Sequence, residues 1–121
     1  MNNVDLWGDL IAEPVRTPVT ILKEQATLLG SKTNQMVLAE VKTEVEEGEF
    51  VHAFELVVPF LEYYRYRLFT VQHSITLYPV VPGGTLIRLK DEEAFTNWLR
   101  SELSSNNTKR IIANLLAQAK A

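Results

Sequence analysis

A chain of 121 residues, 46% hydrophobic and with a formal net charge of −3, is expected to form one domain over residues 1–121 that buries a core without disulfides or a structural metal. It holds no cysteine, which excludes a disulfide framework, thiolate zinc sites and cysteine catalysis. The acidic balance argues against broad electrostatic binding to nucleic acid, and no apolar run approaches the ~20 residues that span a bilayer. Met1-Asn2-Asn3-Val4-Asp5 offers no basic region ahead of an apolar stretch, so no secretory signal is read and a cytoplasmic location is expected.

Residues 1–16 form a lead-in. Val4, Trp7 and Ile11 are spaced for one face of a short helix, with Leu6 and Leu10 beside it; Gly8 weakens that helix and Pro14 ends it. So short a helix is marginal alone, and the segment is expected to be an apolar arm that docks on the body or on a partner, or else is disordered. The first firm helix begins at Thr17-Pro18, where Thr17 suits the N-cap and Pro18 loses no needed hydrogen bond. Val19, Leu22, Ala26 and Leu29 line one face, Ile21 and Leu28 widen it, and Gly30 is expected to supply a left-handed stop.

Met36–Val58 reads as one long β-hairpin turning at Glu46-Glu47-Gly48-Glu49. Val37, Ala39, Val41, Thr43 and Val45 share one side of its first strand, and Glu40, Lys42, Glu44 and Glu46 the other. Phe50, His52, Phe54, Leu56 and Val58 share a side of the second, which Pro59 ends. In a third strand, Tyr64, Tyr66 and Leu68 fall on one side while Phe69, Val71, His73, Ile75 and Leu77 fall on the other. A phase switch of this kind predicts a bulge or bend near Leu68, within one long strand from Tyr63 to Val80. Pro82-Gly83-Gly84 is a turn and Thr85–Lys90 a short strand. Asp91 caps a helix carrying Phe95, Trp98, Leu99 and Leu103, Ser104–Asn107 breaks it, and a last helix holds Ile111, Ile112, Leu115, Leu116 and Ala119.

The order predicts an α+β fold: a curved antiparallel sheet of three to four strands, a meander, covered by an N-terminal helix and two C-terminal helices. An N-terminal helix ahead of a strongly curved meander resembles the layout of cystatin-like folds, which by itself implies no activity.

Chemistry is sparse. His52 and His73 are the only histidines, with twenty residues between them and no HxH or HExxH spacing, so no metal site or cofactor is expected. As side chains on apolar strand faces they read either as buried, hydrogen-bonded histidines or as ligand-binding groups. Glu40 and Glu44 share a face but stand roughly 13 Å apart on an extended chain, too far to hold one ion. Tyr63-Tyr64-Arg65-Tyr66-Arg67 has the residue types of interface anchors and nucleic-acid platforms. Its arginines and tyrosines, however, point to opposite faces, and the arginines have glutamates such as Glu55 to pair with across the sheet. Nucleophile elbows, phosphate loops and dinucleotide fingerprints are missing.

The first expectation is therefore a non-catalytic protein-binding module, antitoxin-like or immunity-like in type, that self-associates as a homodimer. Trp7, Leu10 and Ile11 would be buried against a partner, with Tyr64, Tyr66, Arg65 and Arg67 at the interface. The alternative is a small-ligand or enzymatic pocket using His52 and His73 with Tyr66 and Arg67. Neither a membrane nor nucleic acid is the expected partner.

Overall fold

A computed structural model of the chain describes residues 3–10 and 15–121. It has one helix α1 (Pro18–Lys32), strands β1 (Leu38–Glu46), β2 (Glu49–Val58), β3 (Tyr64–His73) and β4 (Val81–Pro82), and helices α2 (Glu92–Leu103) and α3 (Asn106–Ala119). The strands form a single antiparallel sheet in the order β1-β2-β3-β4, so the α+β architecture is the one that the hydrophobic pattern predicts.

The hairpin turn sets the register. Glu46 pairs with Glu49 across a two-residue loop in which Glu47 and Gly48 both take positive φ, +49° and +79°. That is a type I′ turn, whose twist matches the strands it joins. From it Val45 meets Phe50, Thr43 meets His52, Val41 meets Phe54 and Ala39 meets Leu56. Phe54, Leu56, Val58 and Val71 then close a core with Ile21, Leu22 and Ala26 of α1, Phe95 and Leu99 of α2 and Leu115 of α3. Aromatic rings tie the layers. Phe69 stacks on Phe54 at 5.2 Å on one side and meets Trp98 edge-on at 5.2 Å and 88° on the other, so α2 is keyed to β3 through one indole.

The expected bulge lies at Leu68. Phe54 pairs with Phe69 but Glu55 pairs with Arg67, so Leu68 is the extra residue. The helix side of β3 accordingly reads His73, Val71, Phe69, Tyr66 and Tyr64, and the far side carries Arg67 and Arg65. β2 is buried on both sides: Ala53, Glu55 and Val57 on the far side are as covered as Phe54 and Leu56.

Four local expectations are corrected. The long strand expected over Tyr63–Val80 is cut short: β3 ends at His73, and β4 begins only at Val81. Hydroxyls build the turn that glycine and asparagine would otherwise build: Ser74 Oγ accepts from Thr76 N, Thr76 Oγ1 donates to Tyr78 O, and Leu77, at φ +75°, donates to Ser74 O. The chain returns through a cis Tyr78–Pro79 bond. Thr85–Lys90 is not a strand; only Leu89 bridges, to Val80, with N–O distances of 2.9 and 2.8 Å. Gly30 does not stop α1 but sits inside it, buried, where the side chains of Gln35 and Leu38 approach. Thr33 caps the helix, and Asn34 and Gln35 take the positive φ instead. Residues 3–10 form no helix and are all exposed, while Ile11 and Pro14 lie outside the described residues. The caps at Thr17 and Asp91 stand as expected, accepting from Thr20 N at 3.1 Å and Ala94 N at 2.8 Å.

Gly83 anchors β4 by donating to Thr70 O at 2.8 Å, and a Cβ there would run into the Thr70 hydroxyl. Gly83→Ala is expected to cost about 1–2 kcal/mol by urea denaturation. In a Thr70→Ala background, which removes the obstructing oxygen, the same change should cost clearly less; equal costs in the two backgrounds would refute the contact.

Candidate functional site

Glu55 is the hub of the sheet's far side. It sits opposite Glu40 on β1 and Arg67 on β3. Its carboxylate, 9% exposed, takes Arg67 Nε and Nη2 at 3.3 Å each, Arg65 Nη1 at 3.3 Å and Lys42 Nζ at 3.6 Å, and Arg65 extends the network to Glu40 at 2.7 Å. Burial pushes the Glu55 carboxyl up, but the Arg67 hydrogen bonds, the Lys42 charge and Arg65 together hold it below its usual value. Both arginines of the Tyr/Arg strand are thus engaged with glutamate across the sheet. Tyr64 and Tyr66 lie on the other side, 47% and 37% exposed.

His52 and His73 meet in the interior, Nε2 to Nε2 at 2.8 Å, with exposures of 2% and 5%. The chemistry of their neighbours fixes each proton. The Ser74 carbonyl oxygen can only accept, so His73 Nδ1, 2.7 Å away, carries a hydrogen. Neutral His73 then accepts at Nε2 and His52 donates from its own Nε2. His52 Nδ1 accepts from the Thr43 hydroxyl at 2.8 Å. The result is a one-directional chain, Thr43 to His52 to His73 to Ser74, flanked by the Phe50 ring stacked on His73 at 5.5 Å. Burial, the facing His73 and the Lys23 ammonium on α1 lower the His52 pKa to about 4. Charged His52 would keep both bonds, since the Thr43 hydroxyl can turn and accept, so the resistance to protonation comes from burial and then from neighbouring charge, not from a lost hydrogen bond. The groups of the expected ligand site do not converge: Arg67 is on the far side of the sheet and the histidines face each other. Among the described residues no group of three or more His, Asp or Glu is placed to hold a metal ion.

Open space lies elsewhere, in a cleft of about 560 Å³ between the three helices. Its floor and walls are Phe54, Leu56 and Leu68 of the sheet, Ile21, Leu28 and Leu29 of α1, Leu99 and Leu103 of α2 and Ile112 of α3. Arg16, Lys32, Arg100 and Lys109 also line it, and among the described residues no carboxylate does. Arg16 is held by Glu24 at 2.8 Å and Glu92 at 3.4 Å, and Arg100 by Asn97 at 2.8 Å. Lys32 and Lys109 make no ion pair among the described residues. In a chain of net charge −3 this is a local reversal of sign. Sequence reading missed the cleft, because Leu28, Leu103 and Ile112 look like ordinary core positions; the available signal was a helix with more apolar face than a single contact needs.

Of the arm residues singled out in the sequence, Trp7 is 81% and Leu10 76% exposed, and Ile11 lies outside the described residues. Among the described residues no helix is long and apolar enough to cross a membrane. Comparison with family models, curated proteins and solved structures finds no match, so the functional argument rests on this geometry.

Two expectations follow from the buried groups. A histidine whose pKa is 6.5 unfolded and about 4 folded binds more protons when unfolded. Stability is therefore complete above pH ~6.5 and is lost as pH falls toward 4, by up to about 3 kcal/mol. Glu55, shifted down, adds a further loss only at pH values below the ordinary carboxylate range. Urea midpoints measured across this window should fall for the native chain and stay nearly flat above pH ~5 for His52→Gln; an unchanged slope would remove His52 from the account. Glu55→Gln should cost about 1–3 kcal/mol at pH 7, since it leaves three cations facing a neutral amide, and the loss should shrink at high salt in the same denaturation assay.

Proposed function

We propose that this chain is a non-catalytic protein-binding module whose receiving surface is the cleft between α1, α2 and α3. The observation that carries the reading is the cleft's composition among the described residues: apolar walls, four cations and no carboxylate. Its volume lies within the ~300–1,000 Å³ of sites that hold a bound group, and its opening between helices suits a segment of polypeptide that lays down apolar side chains and offers carboxylates to the rim. Lys32 and Lys109, which make no ion pair among the described residues, are the groups that gain most from such a guest. Catalysis draws no comparable support, because the two histidines are engaged with each other and with Thr43 and Ser74. An antitoxin-like or immunity-like role belongs to this class: a small domain that captures a partner segment through complementary charge and shape.

Selection from a displayed library of short random peptides tests the reading. Peptides that combine large apolar residues with Asp or Glu should be enriched, and their affinity should drop roughly tenfold or more with Lys32→Glu/Lys109→Glu, and with Leu28→Lys in the wall. Failure to select any binder, or binders indifferent to these substitutions, would defeat the proposal.

A further inference from the structure

Resting on the cleft as a binding surface, we infer that its occupant is the N-terminal arm of a second copy of this chain. The arm and the cleft are opposites in charge and alike in apolarity. Residues 3–10 carry Val4, Leu6, Trp7 and Leu10, exposed at 78%, 89%, 81% and 76%, together with Asp5 and Asp9 and no cation. Among the described residues the cleft carries four cations and no carboxylate around an apolar floor. Four large apolar side chains in seven residues are expensive to leave in water, and a contiguous patch of this kind marks an interaction surface. The arm also has local shape. Asp5 Oδ1 accepts from the Trp7 backbone N–H at 2.9 Å, and Gly8 turns the chain at φ +67°, a value that favours glycine. Trp7 therefore stands exposed at a bend, where an anchor side chain is presented.

A second copy, rather than the arm's own body, is the host that the geometry favours. Within one copy every described arm residue is exposed. Arg16, where the arm joins the body, is fixed at the end where α1 and α2 begin: its guanidinium holds Glu24 and Glu92, and its carbonyl accepts from the Tyr78 hydroxyl at 3.3 Å. Lys32 is at the opposite end of α1, a helix of 15 residues and so ~21 Å long. Asp9 precedes Arg16 by seven residues, a reach of at most ~25 Å, so its own carboxylate approaches Lys32 only on a fully extended chain running back along the helix. A partner's arm has no such restraint. Exchange is reciprocal under two-fold symmetry, each arm filling the other's cleft. One tryptophan buries roughly 150–250 Å², and two arms with the surfaces they cover approach the ~1,200–2,000 Å² of a specific pair.

The test is a charge swap read by light scattering. One variant carries Asp5→Lys/Asp9→Lys, the other Lys32→Glu/Lys109→Glu; all four positions are exposed, and circular dichroism checks that both fold. The native chain should be dimeric at high micromolar concentration, each variant alone should dimerise roughly tenfold or more weakly, and an equal mixture should form a heterodimer, since both arm–cleft contacts are then matched. Trp7→Ala and removal of residues 1–10 should also give monomers. A native chain that stays monomeric at millimolar concentration would overturn the inference, as would variants that self-associate like the native chain or a dimer that survives loss of residues 1–10. If the native chain is monomeric yet selected peptides still bind the cleft, only the arm as occupant falls; if no peptide binds either, the binding module falls with it.

Discussion

Everything in this fold depends on the register of β2. It is the one strand paired along its length on both sides, to β1 and to β3, and it is buried on both faces. The Glu47-Gly48 turn fixes that register at one end. A slip of one residue would exchange the faces, turning Phe54, Leu56 and His52 toward Glu40 and Lys42 and thrusting Glu55 into the aliphatic core. A buried, unpaired carboxylate costs several kcal/mol, as does exposing the aromatic set, so competing registers lie well above the native one. The histidine chain and the Glu55 network are both read-outs of this single choice: Thr43 and His73 reach His52, and Lys42 and Arg67 reach Glu55, because β1 and β3 flank β2 in that alignment only.

The bulge at Leu68 is the second constraint, and it reconciles two sequence patterns that a regular strand could not hold together. His73, Val71 and Phe69 alternate in one phase, and Tyr66 and Tyr64 in the other. With one extra residue, all five lie on the helix side, and Arg65 and Arg67 both lie on the side of Glu55. Without it, the arginines would point into the apolar layer while their carboxylate stayed behind. The bulge is also what frees Leu68 from the ladder to line the cleft beneath α1 and α2.

Features governed by periodicity or by capping chemistry were legible in the sequence: the hairpin, the faces of β1 and β2, the phase switch at Leu68, the caps at Thr17 and Asp91, and the apolar stripes of α2 and α3. Features governed by local hydrogen bonding or by tertiary fit were not. The turn after His73 is written in Ser74 and Thr76 hydroxyls, which leave no compositional mark as strong as Asn-Gly. Gly30 looks like a helix stop because glycine often is one, but here it lets the segment at Gln35 and Leu38 pack close to the helix. Likewise, the pairing of His52 with His73 needs the β2–β3 register, and the cleft needs the mutual placement of three helices; neither is encoded at any fixed spacing.

This distribution of polar groups says where function can reside. Among the described residues no buried side-chain nitrogen or oxygen lacks a partner: the histidines bond each other, Thr43 and Ser74, Glu55 bonds Arg65 and Arg67, and Thr108 donates to the Glu102 carbonyl. What stays open is at the surface, and it is of two kinds. One is an apolar cleft edged by lysines without ion pairs; the other is an apolar arm bearing carboxylates. A helix bundle that sealed the sheet would have drawn α3 against α1 and erased the cleft, burying Leu28 and Leu103. The helices instead leave Leu28 exposed beside the cleft, and Leu68 and Leu103 only half-buried, so apolar area stays in contact with water. Under the function proposed above, that cost is recovered when an apolar partner segment covers it.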